Sequence, residues 1–249
     1  MSIKIDNRKK YFLVFDTETT VLSKDEGLTN PLIYDIGMAV CDKKGRVYEY
    51  YNFIVENIFN KKELMNLAFY GNKIPWYEEQ IKNGSMLVRS WGQILYNMNK
   101  VISRYPNITL AAYNLEFDLK AMASTSRLTK QPRYNGSIAS LFDKPVEFQD
   151  IWSLAVEAIY LPQKGYKKFI EANDLFSPKG NPKTSAEVGY RYIHKNPEFI
   201  EDHTALSDVF IEVEILAHAL KQKKKFSKGI PKHPWKIIAN EFTKQQEVV

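Results

Sequence analysis

The chain has 249 residues, enough for one α/β domain or one domain with additions. Its 44% hydrophobic and 26% charged residues exclude an intrinsically disordered chain, and the single cysteine, Cys41, excludes an intramolecular disulfide and a Cys-rich zinc site. The net charge of +6 permits a polyanionic partner without requiring one.

No apolar run is long enough for a membrane-spanning helix, and Met1–Asp6 lacks the apolar stretch of a signal peptide. With its lone cysteine read as a buried thiol, the chain is expected in a reducing cytoplasm, away from membranes.

Tyr11 to Phe15 is a short apolar run, expected as a strand buried on both faces. Leu32 to Cys41 and Val47 to Val55 are two more strand-like runs. The Asp42-Lys43-Lys44-Gly45 segment between them predicts a hairpin. Lys61 to Tyr70 and Trp76 to Lys82 are compatible with helix. In Trp91 to Tyr105, Trp91, Ile94, Leu95, Met98, Val101 and Ile102 recur at helical spacing, and Pro106 ends the pattern.

Ile108 to Tyr113 predicts a fourth strand and Leu115 to Arg127 a helix. Ser124 to Lys144 is polar, with Pro132 and Gly136, and is expected as mostly loop. Pro145 to Gln149 predicts a fifth strand, with Asp150 capping a helix from Ile151 to Tyr160. Thr184-Ser185-Ala186-Glu187 has the form of a capping box with Thr184 as N-cap. Asn196-Pro197-Glu198 predicts another helix start, and a long helix is expected from about Ala205 to Leu220. The basic run Lys221 to Lys228 follows as the start of an extension over 221–249, suited either to a solvated helix end or to phosphate contacts. The whole chain is expected to be one domain, its core spanning about residues 11–220.

Three short segments carry candidate chemistry. Asp16 and Glu18 are two apart at the end of the first strand, so their carboxylates share a face. Adjacent carboxylates repel unless a cation or proton lies between them. Asp118 falls in the first turn of a helix just after a strand, where a helix dipole alone would also favour it. Nearby Glu116 points elsewhere on that helix. His203 and Asp208 are five apart, which brings them together only if His203 precedes a helix and Asp208 faces inward from it.

Taken together, Asp16, Glu18, Asp118, His203 and Asp208 resemble the DEDDh (DnaQ-like) 3′→5′ exonucleases of the RNase H-like superfamily. The resemblance spans about Tyr11 to Leu216. Two departures concern the pocket rather than the acids: Val21 stands where the first motif often has glycine, and Tyr113 where a histidine often precedes Asn114.

The resemblance implies an α/β, RNase H-like fold, with a central mixed five-stranded sheet flanked by helices and extra C-terminal helices. It implies hydrolysis at the 3′ end of DNA or RNA to release nucleoside 5′-monophosphates, with a replication or repair partner as a natural setting. Two ions of Mg²⁺ or Mn²⁺, about 3.5–4 Å apart, would be held by Asp16, Glu18, Asp118 and Asp208, with Asp16 bridging them. His203 would be the general base. Thr17, Thr19, Thr20 and Asn114 are placed to contact the terminal nucleotide, with Phe117 either beside them or in the core.

Two other readings compete: a catalytically inactive nucleic-acid-binding or scaffold module, and a metal-dependent phosphoesterase of small molecules. The complete five-residue set argues against the first, and the basic balance leans against the second.

Overall fold

The structure is a computed structural model that describes residues 5–6, 8–25, 27–222, 233–234 and 236–239. Its first strand, β1 (Tyr11–Thr20), is longer than the apolar run at its start. The β-branched Thr17, Thr19 and Thr20 favour extended backbone, and pairing with β2 (Leu32–Asp42) continues to Thr20. The motif acids therefore lie inside a strand. β2 turns through Gly45 (φ +78°) into β3 (Val47–Val55), and Asp42 accepts the Lys44 N–H within the turn.

The sheet has six strands rather than five. The additional one is β4 (Leu87–Arg89), three residues long, parallel to the end of β3. Three residues carry too little alternation to register as a strand by pattern. β5 (Ile108–Ala112) and β6 (Glu147–Asp150) complete the order β4-β3-β2-β1-β5-β6. The β3-β2-β1 pairings are antiparallel and the rest parallel.

Each face of this sheet has its own apolar core. Leu13 and Phe15 of β1 and Ile36 and Met38 of β2 lie in the first. There they meet α3 (Ile74–Lys82), α4 (Trp91–Arg104) and α5 (Leu115–Leu128). Phe12 and Val14 lie in the second, against α6 (Ile151–Ala155), α7 (Lys164–Ala172), α8 (Ala186–His194) and α9 (Ala205–Lys221). Both faces of β1 are covered, as a buried central strand requires.

Several helix expectations change. Between residues 61 and 70 only Lys62–Met65 (four residues) is helical, after another short turn at Glu56–Phe59. α5 continues to Leu128 and takes the first residues of the expected loop, because Ser124, Thr125 and Ser126 are buried and the last two have partners. The Thr125 hydroxyl accepts the Ile33 N–H, and the Ser126 hydroxyl accepts the Trp91 indole N–H.

α6 widens into a π-type turn over Val156–Tyr160. The α8 N-cap is Ser185, whose hydroxyl accepts the Val188 N–H, not Thr184. The Thr184 hydroxyl instead accepts the Trp152 indole N–H, and Glu187 bridges to Arg191. Asn196–Glu198 forms a turn rather than a helix start. Among the described residues no helix is long and apolar enough to cross a membrane. Of the basic run, Lys221 ends α9, and positions 223–228 lie outside the described residues.

Candidate active site

Alternation along β1 sorts the motif onto two faces. Asp16 and Glu18 continue the row of Phe12 and Val14 and point to α9; Thr17 points to α5. Opposite Asp16 in the antiparallel register stands Gly37, and opposite Glu18 stands Asp35. A Cβ at Gly37 would collide with the backbone of Ala205 and Leu206. Glycine here lets the start of α9 lie directly on the sheet, which brings Asp208, in the first turn of α9, over Asp16.

Carboxylate oxygens of Asp16, Glu18 and Asp208 all lie within 4.8 Å of one another. Asp118, fully buried on α5, accepts a 2.7 Å hydrogen bond from the Thr17 hydroxyl and is repelled by the charge of Asp16. His203 sits just before the Thr204 N-cap of α9, as its spacing from Asp208 requires. Its backbone is left-handed (φ +48°), an uncommon region for histidine. Tyr70 stacks on its ring (centroids 4.6 Å apart, planes at 12°), and Lys73 Nζ donates to its carbonyl at 3.2 Å.

The set is more acidic than the motifs. Asp35, on β2, is fully buried; one oxygen accepts from the Tyr77 hydroxyl (3.0 Å) and the Ala205 N–H (3.1 Å). Glu212 lies one helical turn beyond Asp208 on α9 and is 2% exposed. Its charge acts on the same group: Asp16 and Asp118 both push its pKa up, after burial itself. Glu201, two residues before His203, joins His203 and Asp208 in a second close triad. Their places in the sequence are an acid in the apolar run of β2, an acid at i+4 from Asp208, and an acid two residues before a motif histidine, none of which marks a site by itself.

Burial raises these carboxyl groups, and their mutual repulsion raises most of them further. Asp16 is pushed up to about 7 by burial, then by Asp35 and Glu201. Glu18 is pushed to about 9 by burial, then by Asp16, and Asp208 to about 10 by the same two causes. Lys73 is the cation that opposes the rise at Glu18, Asp35 and Asp208.

Lys73, with Arg191 acting on Glu201, against so many carboxylates leaves negative charge that protons or added cations must balance. Asp208 Oδ1, Glu212 Oε2 and Asp35 Oδ1 are buried with no hydrogen-bond partner. An all-oxygen set with unpartnered atoms suits Mg²⁺ or Mn²⁺.

Beside these acids opens a cavity of about 440 Å³ lined by Thr17, Glu18, Thr19, Thr20, Val21, Leu28, Phe69, Tyr70 and Phe117, among others. Phe69 is 85% exposed at its rim. Phe117 thus lines the cavity. Thr17 and Thr20 also have structural partners, Asp118 and the Leu64 carbonyl.

Asn114 is not among the lining residues. It takes a left-handed backbone (φ +64°) as the N-cap of α5, and its N–H donates to Asp150. Tyr113 is half-buried against the second core: its ring stacks on Trp152, and its hydroxyl meets the Tyr160 hydroxyl and the Thr184 carbonyl. Of the other histidines, His194 pairs with Glu214.

A six-stranded mixed sheet with this strand order, flanked by helices, is the RNase H-like exonuclease fold. Solved structures of exonuclease I share it. The E. coli enzyme bound to single-stranded DNA and zinc superposes with a TM-score of 0.54 at 13% identity, covering 87% of this chain and 41% of that one. An apo exonuclease I covers 97% of this chain and 47% of its own, with a TM-score of 0.53 and 13% identity. An exonuclease I–SSB-Ct complex gives a TM-score of 0.55 at 12% identity, covering 87% and 42%. The chain thus spans less than half the length of these proteins. No protein-family model matches it, and no curated protein matches it in sequence.

Proposed function

We propose that this protein is a metal-dependent 3′→5′ exonuclease that removes nucleoside 5′-monophosphates from the 3′ end of a DNA or RNA strand. The observation that carries the reading is the convergence of Asp16, Glu18 and Asp208 within 4.8 Å, in a sheet of exonuclease fold. Asp118 and His203 stand beside them.

In this reading Asp16, Glu18, Asp118 and Asp208 hold two ions of Mg²⁺ or Mn²⁺, which when bound neutralise phosphate charge and acidify the attacking water. His203 takes the proton of that water. Burial and then the charge of Lys73 hold its pKa below the ordinary value of 6.5, so the ring is neutral and able to accept. The terminal nucleotide enters the cavity along Thr17, Thr19 and Thr20, with Phe69, Tyr70 and Phe117 offering aromatic faces to its base. Asn114 serves this site through the turn that starts α5 and so places Asp118.

The test is degradation of 5′-labelled single-stranded DNA and RNA with Mg²⁺, Mn²⁺ or EDTA, beside Asp16→Ala and His203→Ala. The expected result is a metal-dependent ladder shortening from the 3′ end and lost in both folded variants. Failure to shorten either polymer overturns the proposal.

A further inference from the structure

Asp208 belongs to two triads with different chemistry. Toward β1 it meets Asp16 and Glu18, all oxygen. Toward the segment before α9 it meets Glu201 and His203, whose donor atoms also lie within 4.8 Å of its own and of each other. This second set is two carboxylates and an imidazole. Hard ions such as Mg²⁺ prefer oxygen, whereas imidazole beside carboxylate suits Zn²⁺ and its neighbours.

Three further observations favour an ion there. Asp208 is 7% exposed, yet its Oδ1 has no hydrogen-bond partner. His203 Nδ1 stands 3.7 Å from Glu201 Oε2, beyond a hydrogen bond but close enough for both to reach one ion. The nearby cations make their direct contacts elsewhere and touch none of the three donor groups: Arg191 pairs with Glu187 at 3.0 Å, and Lys73 donates to the His203 carbonyl.

We infer that Glu201, His203 and Asp208 form a separate site for a borderline divalent ion, Zn²⁺, that competes with the working arrangement of the acids. An ion here takes the imidazole nitrogen lone pair, so His203 can no longer accept a proton. It also draws Asp208 away from Asp16 and Glu18. Zn²⁺ would therefore antagonise a reaction supported by Mg²⁺. That consequence rests on the exonuclease reading; binding of the ion does not.

Calorimetric titration of the full chain with Zn²⁺ alone, without Mg²⁺ or polynucleotide, tests the site apart from activity. Glu201→Gln and His203→Gln, each checked for fold by circular dichroism, are each expected to weaken Zn²⁺ binding about tenfold or more. A smaller loss in either folded variant overturns the inference, because Zn²⁺ would then sit among Asp16, Glu18 and Asp208. X-ray absorption at the zinc edge of the parent chain needs no variant. Scattering from one imidazole is expected, and its absence overturns the inference equally. If the parent chain cleaves no polymer yet binds Zn²⁺ through His203, the exonuclease reading fails and this site stands.

Discussion

A histidine acts as a base only if its ring is held where the proton leaves. His203 has no regular element around it, and its left-handed backbone is not one it would choose unaided. The restraint comes from Tyr70 against the ring and Lys73 on the carbonyl. On the proposed reading His203→Ala removes the general base and is expected to lower kcat by about 10²–10⁴-fold.

Tyr70→Ala removes the stack on His203 together with one aromatic wall of the cavity. It should lower kcat by about tenfold or more through misplacement of the ring. Tyr70→Phe keeps the aromatic face and should restore most of that loss, so equal kinetics for the two variants would dismiss the stack as a positioning contact. Lys73→Met makes a different test. Lys73 disfavours the charged imidazole, so its removal raises the His203 pKa. The acid limb of the kcat–pH profile should then move to higher pH, and a limb that stays in place would show that Lys73 acts elsewhere.

At the scale of elements, the site depends on how closely α9 approaches the sheet. Gly37 is buried opposite Asp16, and any Cβ there meets the backbone of Ala205 and Leu206 rather than a side chain that could swing aside. Gly37→Ala must push the start of α9 outward. A cost of about 1–3 kcal/mol in unfolding free energy is expected, together with weaker Mg²⁺ binding as Asp208 retreats from Asp16 and Glu18. Chemical denaturation and Mg²⁺ titration would measure both, and an unchanged Mg²⁺ affinity would refute the role assigned to that close approach.

The same geometry explains what could be read in the sequence. Asp16 and Glu18 were visible because a two-residue strand period forces them onto one face. His203 and Asp208 were visible because the offset makes sense only at a helix start. Asp35, Glu201 and Glu212 were not, since each joins the group through packing between elements distant in sequence. Tyr70 ends a stretch expected as helix over 61–70 that forms only a short turn at Lys62–Met65, and Lys73 falls between the two expected helices, so no periodicity pointed to either. Thr184 lost the cap of α8 to Ser185 because its hydroxyl is used by Trp152, a partner 32 residues away.

Across the whole molecule, the buried acids tie stability to pH, and on the proposed function to metal as well. Asp16, Glu18, Asp35, Glu201 and Asp208 have folded-state values of about 7, 9, 6, 7 and 10, against ordinary values of 3.8 for Asp and 4.5 for Glu. In the window between those ordinary values and the raised ones, the folded chain binds more protons than the unfolded chain. Stability must then fall as pH rises through that window. The metal-free protein should have a higher Tm at about pH 5 than at about pH 8.

Divalent ions act in the opposite sense. On the proposed reading they replace protons among the same carboxylates and bind the folded chain better as those groups ionise. Millimolar Mg²⁺ should therefore raise Tm clearly at about pH 8 and hardly at about pH 5. At the higher pH Asp208 must take up a proton to fold without metal, and Asp208→Asn abolishes that cost, so it should stabilise the metal-free chain while reducing the gain from Mg²⁺. Differential scanning calorimetry on both chains, at both pH values, with EDTA or Mg²⁺, separates these effects. An Mg²⁺ gain that is the same at the two pH values would mean that the ion binds outside this carboxylate group.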